Sequence, residues 1–140
     1  AMTATLAACL VDQGAVGFAS TIGSILSHLT PRIHPGWQAV TLRMLLTHRS
    51  GLPRRVRGKA RRQAGVDEDS FRATGTPTPT TQRLTFTSSL LSNPPSTKPG
   101  SEFVYSNAGF VVIATLFEHL TGLSFESLLA THIFQPLQPT

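Results

Sequence analysis

The stretch from Gly100 to Thr121 constrains this chain more than any other. Gly100-Ser101-Glu102-Phe103-Val104-Tyr105-Ser106-Asn107-Ala108-Gly109-Phe110 is a polar loop that turns into an apolar run, with a tyrosine and an asparagine two residues apart at the junction. Beyond it Phe110, Ile113, Ala114, Phe117 and Leu120 recur at helical spacing. Val111, Val112 and Leu116 fill the other side, so the helix has little polar face and is expected to be buried. Gly122 is placed to stop it. A tyrosine at the mouth of such a helix is held rigidly while its hydroxyl still reaches a cleft. Taken alone, Tyr105 and Asn107 read first as the plain end of a loop and start of a helix.

The other elements follow the same signals. Residues 1–13 carry Met2, Leu6, Cys9 and Leu10 on one helical stripe, closed by Gly14. Residues 15–40 form a connector of small and turn residues with a short helical turn near Thr21 to Leu26. Thr41 reads as the N-cap of a helix over Leu42 to Thr47, with Leu42, Leu45 and Leu46 inward, ended by Gly51 and Pro53. Thr80 to Ser92, with Leu84, Leu90 and Leu91, predicts a further helix broken by Asn93-Pro94-Pro95. Ser124 is expected to cap a last helix through Ala130, with Phe125, Leu128 and Leu129 inward. Alternating strand patterns are almost absent, so the chain reads as mainly α.

At 140 residues this is one domain or part of one. No apolar run approaches the roughly 18 residues a membrane span needs. The chain opens Ala-Met-Thr-Ala inside a helical pattern, without a basic leader region, so it is expected to have been cut or processed there. The single cysteine, Cys9, excludes an internal disulfide and most metal schemes, and reads as a packed thiol. Net charge is +5, and half the basic residues lie in Arg54, Arg55, Arg57, Lys59, Arg61 and Arg62. That run lacks interleaved aromatics and a surrounding nucleic-acid fold, so it reads as a solvated loop. Residues 54–80 turn from basic to acidic at Asp67-Glu68-Asp69, then to Thr/Pro/Gly-rich, and are expected to be the least ordered part.

Several chemistries find no support. There is no Gly-x-Ser-x-Gly elbow. His28, His34, His48, His119 and His132 show no His-x-x-x-His spacing, and no phosphate-binding glycine loop is present. No metal and no cofactor is expected. His48-Arg49-Ser50-Gly51-Leu52-Pro53 reads as a helix end with Gly51 reversing the chain.

Three segments together resemble the serine β-lactamase and penicillin-binding-protein superfamily, especially class C β-lactamases and related DD-peptidases and esterases. Thr41 to Pro53 looks like the family's "LLTHxSGLP" segment, and Pro99 to Phe110 like its "PGxxFxYSNxGY" segment. Phe134-Gln135-Pro136-Leu137 is similar to its "iFxPLGM" close, with Gln138 where glycine is usual. Order and spacing agree over nearly the whole chain. In that family a Ser-x-x-Lys serine attacks a carbonyl to form an acyl-enzyme, and lysine and tyrosine pass protons. A free tyrosine has a pKa of about 10, and a nearby lysine cation favours its phenolate. The resemblance therefore implies Tyr105 as general acid/base and Asn107 as the residue positioning lysine and substrate amide; Ser106 takes no implied role.

The chain also departs from the family. Its two lysines, Lys59 and Lys98, are preceded three positions earlier by Val56 and Pro95, so it holds no Ser-x-x-Lys. In the family that motif runs into a stretch resembling Ala1-Met2-Thr3-Ala4, which places the chain's start one residue after the lysine. No Lys/His-Thr/Ser-Gly follows either.

Residues 1–140 are thus expected to form a single partial domain: the helical subdomain of a β-lactamase/DD-peptidase-like α/β fold, with the mixed sheet largely missing. The implied parent is a serine hydrolase acting on a small-molecule lactam, amide or ester, and the chain as given is expected to be inactive. Such families are often periplasmic or secreted. The first helix and the Tyr-x-Asn helix are expected to expose apolar patches that favour self-association. Two rival readings are a non-catalytic binding module whose basic run 54–62 recruits nucleic acid or anionic surfaces, and a degenerate scaffold whose parent never had the serine.

Overall fold

In a computed structural model of the chain, residues 1–56 and 78–138 are described. Six α-helices run in order: α1 (Met2–Asp12), α2 (Ile22–Ile25), α3 (Leu42–Leu46), α4 (Pro79–Leu91), α5 (Ala108–Thr121) and α6 (Phe125–Leu129). Two 3-10 segments, Ser27–Arg32 and Pro35–Trp37, join α2 to α3, and a π-helical turn, Ala130–Phe134, extends α6. Among the described residues there is no strand; the one β feature is an isolated antiparallel bridge between Thr21 and Thr41.

Helix α5 is the axis. Val112, Ile113, Ala114, Leu116 and Phe117 are all buried along it, and α4, α3, α2, α6 and α1 each pack on it. Gly122 ends it in the left-handed conformation at φ +69°, which a glycine adopts without steric cost. Short helices elsewhere persist because their first amides are capped. Thr41 Oγ1 accepts from the Met44 amide, Thr78 from Thr81, and Ser124 from Ser127. Trp37 is 1% exposed, and its indole Nε1–H donates to the Asn93 carbonyl at 2.6 Å, tying the 3-10 segment to the end of α4.

Several expected faces are corrected. On α1 the buried stripe is Leu6, Ala7 and Leu10, whereas Met2 is half exposed and Cys9 only partly covered. The Leu6–Leu10 side faces α5, α6 and the π-helical turn, which turns Met2 outward. On α4, Leu84 is 41% exposed while Thr87 is buried. Thr87 is inward because it meets Thr115 of α5, hydroxyl to hydroxyl at 2.8 Å. The Thr115 hydroxyl donates to Val111 O, so Thr87 is the donor of the buried pair. Helix α3 ends at Leu46, sooner than its glycine suggested, because His48 enters the left-handed region at φ +56° three residues ahead of Gly51.

Helix α5 does not present the expected contiguous apolar patch. It buries its stripe within the chain, and Leu120, near its C-terminus, is the large apolar side chain it exposes. No single described helix is long and apolar enough to cross a membrane; α5 with the bent segment Phe125–Phe134 passes only as a broken pair at 85°.

One polar node stands inside this apolar frame. Glu118 of α5 is 7% exposed. Its Oε1 accepts from Thr80 Oγ1 at 2.7 Å, Arg83 Nη2 at 2.6 Å and the Phe125 amide at 2.9 Å, and its Oε2 accepts from Arg83 Nε at 3.1 Å. Arg83 also forks onto Glu126, with both nitrogen–oxygen distances 2.9 Å. Three helices, α4, α5 and α6, therefore meet on one carboxylate.

Candidate functional site

The site lies where the Pro99–Ser106 loop enters α5. Asn107 takes helical backbone angles at the N-cap position but makes no capping bond to its own helix. Its Oδ1 instead accepts the Tyr105 hydroxyl proton at 3.1 Å. The first amides of α5 are covered by backbone: Gly109 N–H donates to Ser106 O and Phe110 N–H to Asn107 O. That arrangement leaves the Asn107 side chain for the tyrosine. Tyr105 is 46% exposed, so its phenol is open to a substrate while its ring is held from behind. The structure thus brings together both residues that the sequence singled out.

Ser106, between them, is 2% exposed, with its Oγ donating to the Pro53 carbonyl at 2.7 Å. A hydroxyl buried with its proton on a carbonyl is not placed to attack anything. Ser106 is a bolt between the two motif segments.

The His48–Pro53 segment is more than a helix end. Its backbone laces the site loop: Val104 N–H donates to His48 O at 2.8 Å, Gly100 N–H to Arg49 O at 2.7 Å, and Ser96 N–H to Gly51 O at 2.9 Å. The His48 ring lies against Tyr105 at 4.4 Å between centroids, and takes the edges of Phe103 and Phe110 at 5.7 and 5.4 Å. Reading the sequence missed His48. The only local signal was a residue type that tolerates left-handed backbone near a helix end.

Gly51 matters for a steric reason. At φ +86° a Cβ would be strained, and it would run into the Thr97 carbonyl of the site loop. Gly51→Ala is expected to cost about 1–3 kcal/mol, from backbone strain and displaced loop, read as a lower denaturant midpoint at unchanged slope. A variant as stable as the parent would show that the two segments are not held at contact there.

Arg54 and Arg55 stand on the Asn107 side, lining with Phe86, Ser106, Asn107 and Val111 a cavity of about 490 Å³. Arg57, Lys59, Arg61 and Arg62, the rest of the basic run, lie outside the described residues, as does most of the 54–80 segment. Among the described residues no group of three His, Cys, Asp or Glu side chains converges to hold a metal. His28 and His119, the latter in the last turn of α5, stack at 4.3 Å. Burial, then the neighbouring His28 charge, holds His119 below the ordinary histidine value.

A family model described as Beta-lactamase matches residues 1–139. Similar solved structures include the octameric penicillin-binding protein homologue from Pyrococcus abyssi, at 24% identity and TM-score 0.65, with 97% of this chain aligned to 29% of that one. The penicillin-binding protein from Bacillus halodurans is 25% identical at TM-score 0.63, with 96% of this chain aligned to 38% of that one. The chain spans about a third of the length of these structures.

Proposed function

We propose, from the premise that this chain belongs to the beta-lactamase family, that it supplies the proton-handling corner of a serine acyl-transfer centre. Tyr105 is read as general acid/base and Asn107 as the residue that orients its hydroxyl and the substrate amide. The observation that carries this is the 3.1 Å hydrogen bond from the tyrosine hydroxyl to Asn107 Oδ1, at an exposed helix mouth and on the motif these residues match. The bond fixes the phenol oxygen at the helix mouth; to act as an acid Tyr105 turns that proton from Asn107 to the leaving group, and to act as a base it must first have lost it. The substrate class is a lactam, peptide amide or ester, opened through an acyl-enzyme. Arg54 and Arg55 beside Asn107 suit a substrate that carries an anionic group.

Nothing in residues 1–140 supplies the nucleophile of this reading, since neither lysine follows a serine by three positions and Ser106 is buried. Residues 1–140 alone are expected to hydrolyse neither a chromogenic cephalosporin nor a p-nitrophenyl ester above buffer, because the groups of such a centre act as a unit. Turnover with burst-phase acylation by this chain would overturn the assignment. Reading the coding sequence upstream of Ala1 tests it independently. The expected result is a Ser-x-x-Lys running into Ala1-Met2-Thr3-Ala4, and its absence would sink the reading.

The alternative of a non-catalytic module using the basic run finds less to rest on. Its two described members, Arg54 and Arg55, line the cavity beside Asn107. A salt-dependent shift on DNA, lost on changing Arg54, Arg55, Arg57, Arg61 and Arg62 to Ser, would favour it.

A further inference from the structure

His48 stands outside the residues to which the resemblance assigns work, yet Tyr105 is bracketed by it. The amide before Tyr105, that of Val104, donates to the His48 carbonyl at 2.8 Å. The amide after it, that of Ser106, donates to His48 Nδ1 at 3.3 Å. Between these two bonds the phenol ring lies over the imidazole at 4.4 Å and 39°. Among the described residues His48 is the one non-glycine with positive φ. Backbone held in that region at a helix end, with one ring contact on the tyrosine and one hydrogen bond to each of its two neighbours, points from an outlier towards a role.

We propose that His48 is the positioning residue of Tyr105: with Nδ1 unprotonated it fixes the phenol over Asn107, and protonation at Nδ1 releases it. For its catalytic meaning this rests on the reading of Tyr105 given above; the placement itself does not. The chemistry is simple. Nδ1 accepts from an amide, so its lone pair is in the ring plane facing Ser106 and the ring proton is on Nε2. A proton added at Nδ1 turns the acceptor into a donor facing another donor. The Ser106 bond is lost, and with it the rear half of the bracket. Of the side chains against the ring, Tyr105 is titratable, while Phe103 and Phe110, the latter from α5, are not. The charged residues nearest His48 in sequence are Arg49, Arg43 and Arg54, and the one nearest Tyr105 is Glu102 on the facing loop; the ring's hydrogen bond is to the Ser106 amide.

The chain carries its own probe, since Tyr105 is the sole tyrosine and Trp37 the sole tryptophan. With tyrosine ring and backbone amides labelled, the Tyr105 ring signals and the Ser106 amide are expected to shift together as pH falls. Their midpoint should be the one followed by the His48 ring protons. In His48→Asn the amide oxygen can replace Nδ1 and left-handed backbone is tolerated, but nothing titrates. There the coupled shift is expected to vanish, with Trp37 fluorescence as in the parent. In His48→Phe the ring remains without an acceptor, and the Ser106 amide is expected to stay at the position the parent reaches at low pH. Tyr105 signals that ignore the His48 titration in the parent would overturn the proposal without any variant. So would a shift that persists in His48→Asn. The two readings fail separately. In a protein that joins this chain to a Ser-x-x-Lys, unchanged turnover of Tyr105→Phe sinks the catalytic role and leaves the coupled shift of the unsubstituted chain standing; absent coupling in that chain beside a dead Tyr105→Phe sinks only the positioning role.

Discussion

Glu118→Ala is expected to cost the fold about 3–5 kcal/mol, the range for breaking a buried pair from one side. A chain of this kind has only about 5–15 kcal/mol in total, so the variant should melt near or below working temperature. The loss is large because four donors lose their acceptor together: Thr80, both Arg83 nitrogens and the first amide of α6. Arg83 is then left mostly covered, with only the half-exposed Glu126 to answer it, and exposed pairs contribute little. Glu118→Gln keeps the shape and loses the charge, and should fall between. Urea midpoints of the three proteins check the order; a Glu118→Ala protein within measurement error of the parent would refute it.

The same node sets an acid limit. Burial pushes the Glu118 carboxyl up, but hydrogen bonds from Arg83, Phe125 N–H and Thr80 outweigh it and hold the group below its ordinary 4.5. Glu126 is also held low, by its bond from Arg83 against the effect of burial. Arg83 itself is raised, first by Glu118, and stays charged throughout. As pH falls, the unfolded chain therefore binds these protons first. The stabilisation is whole above about 4.5 and is lost as pH drops through the lowered folded-state values. Glu118→Gln should show a shallower acid decline than the parent, and equal slopes would remove Glu118 as the cause.

Tyr105→Phe carries the largest expected effect on activity. In a protein that joins residues 1–140 to a Ser-x-x-Lys, kcat should fall about 10²–10⁴-fold, the usual contribution of a positioned acid/base. Stability should barely change. The ring keeps its place on His48, and among the described residues the hydroxyl's hydrogen-bond partner is Asn107. Asn107→Ala leaves the hydroxyl but removes its acceptor, so it should lower kcat by less and raise KM as well. Rates of acylation measured by burst amplitude separate these outcomes from product release. A Tyr105→Phe protein that acylates at the parent rate would end the general acid/base assignment.

What could be read in advance followed physical range. Helix α5, its Gly122 stop and the caps at Thr41 and Ser124 were legible because periodicity and capping are local. The Tyr105–Asn107 pair was legible for the same reason, being two residues apart. The faces of α1 and α4 were not, because a partner decides them. Thr87 goes inward for Thr115, 28 residues on, and Leu84 yields. Glu118 in an apolar helix made sense only beside Arg83, 35 residues earlier. His48 needed Ser106, 58 residues later, before its ring had a role. Burial and pairing across such spans are set by packing, to which composition and spacing are blind.

The first helix rests on the last one: α1 packs against α6 and the Ala130–Phe134 turn, and Gln13 meets His132 at 3.2 Å across 119 residues. On a ribosome this means waiting. Leu6, Ala7 and Leu10 emerge early, while the surfaces that will cover them are still untranslated. Until about residue 134 has cleared the exit tunnel the seat of α1 is incomplete, and closing so long a loop is slow. A nascent chain halted before α6 is where a holdase chaperone should find this protein most often.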